Sequence, residues 1–447
     1  MSAGASNTAS ASASPTAQRG RVRDLIAVNF GNTLEWYDWT IYSIFAHHFA
    51  VRFFSADDPA SALLSAFAVF AVGFITRPLG GIVFGRYADR AGRRTALAVA
   101  MMLTAGGSLL IAVSPDYGQV GVFASIILVF ARLVQGLAHG GEMGTSVTYL
   151  VERAPTHRRA LWGSSSWVSV VLGTMLATIT GLGLNLLLGA EGTAEWGWRI
   201  AFAVGGVLGL YALYLRRRLP ETEAFTHSPE DADSPRERAD GPRAAASRSG
   251  GIWRYWRSIL VVFGLSAGGS IMFYTWLIYM PTFAQIGLGQ SESSALTASL
   301  IAQAVFLGLV LVSGWLGDRI GRKPLVIAFG VIAVIATVPL FMLVDGTFGR
   351  LLTAMLLALG ALSLLFGVNG AVWAEVFPTR YRATGVAAPL SLATALFGGT
   401  APYVNQLLVQ AGHGGWFPWY LSGVAAITLL TGLLMAETKH LSLTRTE

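Results

Sequence analysis

The 447-residue chain has no cysteine and little charge: 12% of its residues are charged against 53% hydrophobic. Without cysteine there is no disulfide framework, no thiolate zinc site and no iron–sulfur ligation. With so few charges and a mean hydropathy of +0.57, an ordinary soluble domain is excluded and the chain belongs in a bilayer. No Gly-x-x-x-x-Gly-Lys-[Ser/Thr] string occurs, so no phosphate cradle for ATP is encoded and no cofactor is expected. No apolar stretch precedes the first span. Residues 1–22, rich in Ser and Ala and closing on Arg19 and Arg21, read as a disordered tail, not a cleavable signal. A net charge of +7 would suit nucleic acid, but the basic residues are scattered through short loops between apolar runs, which fits membrane orientation instead.

What is present is a series of apolar runs. About 20 helical residues cross a hydrocarbon core of about 30 Å. Twelve segments qualify, near 25–50, 62–85, 95–113, 120–148, 160–188, 199–215, 256–284, 295–316, 324–343, 350–375, 383–409 and 417–436. Lys and Arg gather in the loops after spans 2, 4, 8 and 10, so that face, and with it both termini, is expected to be cytoplasmic, in the plasma membrane. The stretch between spans 6 and 7 is rich in Pro, Ser, Ala and charge and reads as a flexible linker. The expected division is a tail at 1–22, a six-helix bundle at 23–218, a cytoplasmic linker at 219–254, a second six-helix bundle at 255–437 and a tail at 438–447.

One polar sentence occurs twice: Gly85-Arg-Tyr-Ala-Asp89-Arg90-Ala-Gly92-Arg93-Arg94 and Gly314-Trp-Leu-Gly-Asp318-Arg319-Ile-Gly321-Arg322-Lys323. Each copy separates two apolar runs, and about half the chain lies between them. Such a duplication marks two homologous membrane halves, and the pattern resembles the loop signature of the major facilitator superfamily. The resemblance implies an all-α integral membrane fold, with twelve transmembrane helices in two pseudo-symmetric six-helix bundles around a midplane cavity. Gly85 and Gly314 allow close helix approach. Asp89 and Asp318 can meet a helix N-terminus or an Arg, and the basic residues after them can bridge helix C-termini. The gating residues expected from this are Gly85, Asp89, Arg90, Arg93, Gly314, Asp318, Arg319, Arg322, Glu375 and Arg380.

Ionisable groups inside a span are costly, so each is a functional candidate. Span 1 holds Asn32, Glu35 and Asp38 followed by Tyr42; span 2 holds Arg77; span 4 holds Arg132, Gln135, His139 and Glu142. The spacings in spans 1 and 4 keep these side chains on one helix face. Two carboxylates three residues apart are not readily ionised together, so one can exchange a proton, and an Arg that never deprotonates can hold it charged. The structural alternative is that these groups only fix helix packing. His139 is expected to have no proton role. His47 and His48, adjacent at the end of span 1, should point apart and sit at the membrane interface instead of binding metal. Trp36 and Trp39 flank the carboxylates, and Tyr274, Trp276 and Tyr279 precede Pro281, which should kink span 7 where a wet cavity tolerates it.

The strings Gly31-Asn-Thr-Leu-Glu35-Trp-Tyr-Asp38, Arg77-Pro-Leu-Gly-Gly81, Arg132-Leu-Val-Gln135-Gly136 with Gly140-Gly141-Glu142, Trp198-Arg199-Ile, and Ala374-Glu375-Val-Phe-Pro378 with Arg380, Arg382 and Gly385 resemble the metabolite:proton symporter family of that superfamily. Three further segments, from Gly141, Gly269 and Ala395, most resemble 2-oxoglutarate permeases, with departures at His139, Pro281, Pro402 and the longer linker. The resemblance implies no enzyme but a monomeric secondary transporter that imports a small organic acid with protons. Shikimate, citrate and betaine or proline are the alternatives. By analogy with the superfamily, Asp38 carries the proton with Arg132 as partner, followed by Glu35 and Glu142. Arg77 and Arg132 would take the substrate carboxylate, beside Asn32, Tyr42, Gln135, Tyr274 and Asn369.

Two rivals share the fold: a proton-coupled exporter and a non-transporting nutrient sensor. Exporters resemble one another in a Gly-Pro-rich motif in span 5, whereas residues 160–188 contain no proline. A membrane-embedded hydrolase is disfavoured because Ser164, Ser165 and Ser166 have no histidine in their span to activate them.

Overall fold

The computed structural model describes residues 15–441 apart from 56, 92, 141–146, 148, 149, 153 and 218–251. Side chains are outside the description also at 15–30, 85, 88–91, 93, 94, 97, 215–217, 252, 253 and 380. The chain runs through twelve helical columns. In the first half these are α1 (Pro15–Phe53), α2 (Pro59–Ile75, resuming as Arg77–Ala91), α3 (Arg93–Val113), α4 (Val122–His139), α5 (Arg159–Ser164, resuming as Ser166–Gly192) and α6 (Trp198–Arg217). The second half has α7 (Trp256–Phe273, resuming as Met280–Leu288), α8 (Glu292–Ile320), α9 (Lys323–Leu343), α10 (Phe348–Phe366, resuming as Asn369–Glu375), α11 (Thr379–Ala393, resuming as Ala401–Gln410) and α12 (Phe417–Leu434).

Among the described residues, nine helical runs are long and apolar enough to cross a membrane, and one of them, Thr156–Tyr214, covers both α5 and α6. The remaining two columns are α3, whose apolar part is the shorter Ala98–Val113, and α1, which carries Glu35 and Asp38 in its middle. These additions restore the twelve expected spans.

Packing repeats with a shift of six helices. Helix α3 lies on α6 as α9 lies on α12, and α2 meets α4 as α8 meets α10. Between the halves, α5 packs on α8 and α2 on α11, contacts that the same shift exchanges for one another. The two-fold relation expected from the duplicated loop is therefore built into the helix pairings.

Two columns on the cavity side are not regular. Helix α7 passes through a π-helical turn at Tyr274–Tyr279 and α11 through another at Thr394–Gly398. Pro281 follows the first of these, so the break lies just upstream of the proline. A π-turn of this kind frees backbone groups and tends to occur at functional positions.

Two boundaries differ from expectation. Helix α1 starts at Pro15, inside the segment read as tail: Pro suits the first helical position, and Ala, Gln, Arg and Leu propagate a helix well. At the other end, residues 438–441 fold back onto the bundles, with Lys439 Nζ donating to the Arg319 carbonyl at 2.6 Å and Arg159 Nη1 to the Leu441 carbonyl at 2.7 Å. Of the expected linker, Ile252–Tyr255 forms a 3₁₀ turn and residues 219–251 lie outside the description.

Candidate functional site

A cavity of about 370 Å³ lies between the halves, lined by Trp36, Arg77 and Trp167 on one side and by Ser266, Ser270, Tyr274, Asn369, Trp373 and Thr394 on the other. Arg77 reaches it because α2 and α4 approach very closely. Gly140, which caps α4, rests against the Arg77 carbonyl, and any side chain there would collide with backbone. The Arg77 guanidinium lies over the rings of Trp39 (4.4 Å to the centroid) and Phe74 (4.1 Å), a cation–π seat that holds the charge without neutralising it. Trp167 stacks on Phe366 with ring centroids 3.9 Å apart and donates from Nε1 to Asn369 Oδ1 at 3.2 Å, joining α5 to α10. The Ser270 and Thr394 hydroxyls are 3.0 Å apart.

Four polar residues of this cavity hold donors without an acceptor. Arg77 Nε and Nη2, Tyr274 Oη, Ser266 Oγ and Trp373 Nε1 are buried without a hydrogen-bond partner among the described residues. Among the described residues, no Asp or Glu lines the cavity. An orphaned buried donor costs about 1–3 kcal/mol, so a ligand that offers oxygen acceptors would remove several such penalties together.

A second cluster lies inside the first half. Arg132 of α4, wholly buried, holds Asp38 of α1 at 3.2 Å from Nη1 to Oδ2. The Ser108 hydroxyl of α3 donates to the other Asp38 oxygen and accepts from Gln135 Nε2 at 3.0 Å. Arg132 also stacks over Tyr42, 4.0 Å from its ring centroid, while the Tyr42 hydroxyl donates to the Ala66 carbonyl at 2.8 Å. A separate cavity of about 460 Å³, lined by Glu35, Asp38, Thr104, Ser108 and His139, opens beside this cluster. Glu35 Oε1 is 3.5 Å from His139 Nε2. The indole of Trp39 separates the two sites, with Arg77 on it at 4.4 Å and Arg132 at 5.3 Å.

Both ends of the central cavity are closed by contacts between the halves. On the signature-loop face, Asp318 of α8 accepts the backbone N–H groups of Ala160 and Leu161, at 2.9 and 3.0 Å, where α5 begins. Arg322 Nη2 then joins Asp318 (3.2 Å) to Glu375 (3.0 Å), and Arg382 reaches across to Glu152 at 2.6 Å. Gly314 makes this possible, since a side chain there would strike Ser164. On the opposite face, His48 Nε2 is 3.2 Å from Glu292 Oε2, Asn185 donates to the same oxygen at 2.9 Å, and Thr282 donates to the Ser43 carbonyl at 3.0 Å.

Of the residues expected to bind substrate, Arg77, Tyr274 and Asn369 thus meet in the central cavity. Arg132, Tyr42 and Gln135 lie in the Asp38 cluster instead, and Asn32 donates to Ser169 Oγ at 2.7 Å. Gly314, Asp318, Arg322 and Glu375 come together at one junction, whereas Arg319 is exposed over Trp315 at 3.9 Å. The positions named at Glu142, Gly85, Asp89, Arg90, Arg93 and Arg380 lie outside the described side chains. Trp373, Ser266 and Ser108 were not anticipated. Trp373 stands one helical turn after Asn369, an i,i+4 relation that the sequence did display. The two adjacent histidines do not point apart: the His47 and His48 ring centroids are 3.8 Å apart, brought together by side-chain rotation about neighbouring backbone positions.

Residues 25–447 match the family model described as Sugar (and other) transporter. The chain belongs to this transporter family. It is 35% identical to the α-ketoglutarate permease of Escherichia coli K12 over 93% of this chain and 94% of that one, and 32% identical to the proline/betaine transporter of the same strain over 94% and 85%. The solved xylose transporter of E. coli, a proton:xylose symporter of the major facilitator superfamily, superposes in its partially occluded inward open form with a TM-score of 0.74. That match covers 94% of this chain and 99% of that one at 22% identity. The family consists of transporters, so the protein is a multi-pass membrane transporter and not an enzyme.

Proposed function

We propose that this transporter imports a small carboxylate metabolite of the 2-oxoglutarate type together with protons, by alternating access, as a monomer whose signature-loop face is cytoplasmic. The observation that carries the reading is the donor set of the central cavity: among the described residues, Arg77, Tyr274, Ser266 and Trp373 hold N–H and O–H groups without a hydrogen-bond partner, and no Asp or Glu is part of the lining. An anion with several oxygens matches that set. A relative at 35% identity named for α-ketoglutarate adds support.

Proton coupling is assigned to Asp38. It is paired with Arg132 inside the span, and a buried ion pair there is costly unless it is used. In this mechanism a proton taken by Asp38 frees Arg132, and Trp39, which touches both guanidinium groups, passes the change in charge to the substrate site at Arg77. Substrate and proton together then let the halves rock, one closed face opening as the other stays shut.

The aromatic walls favour a second reading. Trp36, Trp167, Phe273, Phe366 and Trp373 also line the cavity, and such faces stabilise a quaternary ammonium group, so a betaine whose carboxylate meets Arg77 is the competing substrate. Uptake of radiolabelled 2-oxoglutarate into proteoliposomes under an inward proton gradient separates the two. Uncoupler-sensitive accumulation, competed by citrate or succinate and not by betaine, is the expected result. Accumulation of betaine and not of the dicarboxylate would replace the first reading by the second.

A further inference from the structure

We propose that His47, His48 and Glu292 form a transition-metal site of the zinc type that ties the two halves together on the face opposite the signature loops. The three residues come from both sides of the molecule: the histidines from the end of α1 and the glutamate from the first position of α8. Each offers a ligand atom, and these atoms all lie within 4.8 Å of one another. His48 and Glu292 already touch at 3.2 Å, with side chains only 10% exposed.

The donors left over fit a metal. His47 Nδ1 and Glu292 Oε1 are buried with no hydrogen-bond partner among the described residues. Asn185 holds the other carboxylate oxygen at 2.9 Å, which orients the group and leaves Oε1 available. Two imidazoles and one carboxylate suit Zn²⁺, or Co²⁺ and Ni²⁺, and not Ca²⁺ or Mg²⁺, which take oxygen ligands. Zinc bonds of about 2.0–2.2 Å set tetrahedral ligand atoms about 3.4 Å apart, so atoms at the 4.8 Å limit must close by about 1.4 Å; side-chain rotation supplies this, and water fills the fourth position. The proposal does not depend on which substrate is carried. Its consequence for transport, that bound metal holds this face shut, rests on the alternating-access reading.

Equilibrium dialysis of the purified full-length protein against ZnCl₂, after chelator treatment, tests it directly. One Zn²⁺ per chain is expected. His47→Gln and Glu292→Gln should each weaken it at least tenfold, while His413→Gln, exposed elsewhere, should leave it unchanged. Because the two sensitive positions lie on different halves, loss in both establishes that the metal bridges them. The melting temperature of the wild type should also rise with Zn²⁺ by mass action, and that of His47→Gln should not. His47 Nδ1 has no hydrogen-bond partner among the described residues, so His47→Gln keeps the test open if Glu292→Gln folds poorly. Undiminished Zn²⁺ binding in both variants, or no binding by the wild type, overturns the site.

Discussion

Asp38 and Arg132 face each other across the interior of the first half at 3.2 Å, with side chains 3% and 0% exposed. The pair is completed by Ser108 on the carboxylate and by the Tyr42 ring on the guanidinium, so either partner alone would be a buried charge without compensation. Asp38→Asn keeps the shape and most of the hydrogen bonds but cannot cycle a proton. We expect it to abolish uncoupler-sensitive accumulation while substrate exchange between preloaded vesicles and medium continues. Retained uphill uptake would remove Asp38 from the proton path. Arg132→Leu strands the carboxylate and should destabilise the protein by about 3–5 kcal/mol, and the double variant with Asp38→Asn should recover a large part of that in a thermal melt.

Arg77 sets affinity for the anion. Arg77→Lys keeps the charge but loses the planar fork and its seat on Trp39 and Phe74, and Arg77→Gln loses the charge as well. A hydrogen bond to a charged group contributes about 1.5–3 kcal/mol, so KM for the dicarboxylate should rise about tenfold or more in the glutamine variant and less in the lysine variant. Equal KM values in all three proteins would place the substrate elsewhere.

The transmembrane plan was legible because its signals are local: apolar length, a duplicated loop and the spacing of ionisable residues on single helix faces. Asp38 could be paired with Arg132 in advance by analogy with the superfamily, and Asp318 could be expected to meet a helix N-terminus or an Arg; the structure supplies both, at Ala160 and Leu161 and at Arg322. The division between two polar clusters could not be foreseen. Arg77 and Arg132 look equivalent in sequence, and only the close passage of α2 over Gly140 puts one in the central cavity while α4 turns the other to Asp38. Trp373 and Ser266 were missed because an indole or hydroxyl inside a span is normally satisfied by its neighbours, and their lack of partners is a property of the assembled halves.

Glu437 follows α12 and closes the start of α9 from outside the spans. Burial pushes its carboxyl upward, but the backbone N–H groups of Arg322, Lys439, Lys323 and Thr438 overcome this and hold it below the usual range; the four distances are 2.9–3.0 Å. A lowered folded-state pKa means that the stabilisation is present above the unfolded value of about 4.3 and is lost as pH falls through the folded value. Glu437→Gln should therefore melt below the wild type at pH 6, with the gap narrowing as the pH drops under about 4. A gap that is independent of pH would show that the carboxylate charge does not matter there.

Asp318 ties the second signature loop to the first half through two backbone hydrogen bonds at the start of α5, and Gly314 sets the distance. Asp318→Asn replaces one of the two acceptor oxygens by a donor and weakens the pairing with Arg322; Gly314→Val forces α8 away from Ser164. Both should favour the state open on the signature-loop face. Since the native chain has no cysteine, a single Asn369→Cys on the cavity wall reports this without background. Labelling by a membrane-impermeant maleimide applied to that face of inverted vesicles should speed up several-fold in either background, and labelling from the opposite face should slow. Faster labelling from both faces would mean that the substitution loosens the fold and does not release a latch. Unchanged rates would mean that Asp318 holds the loop without governing the opening.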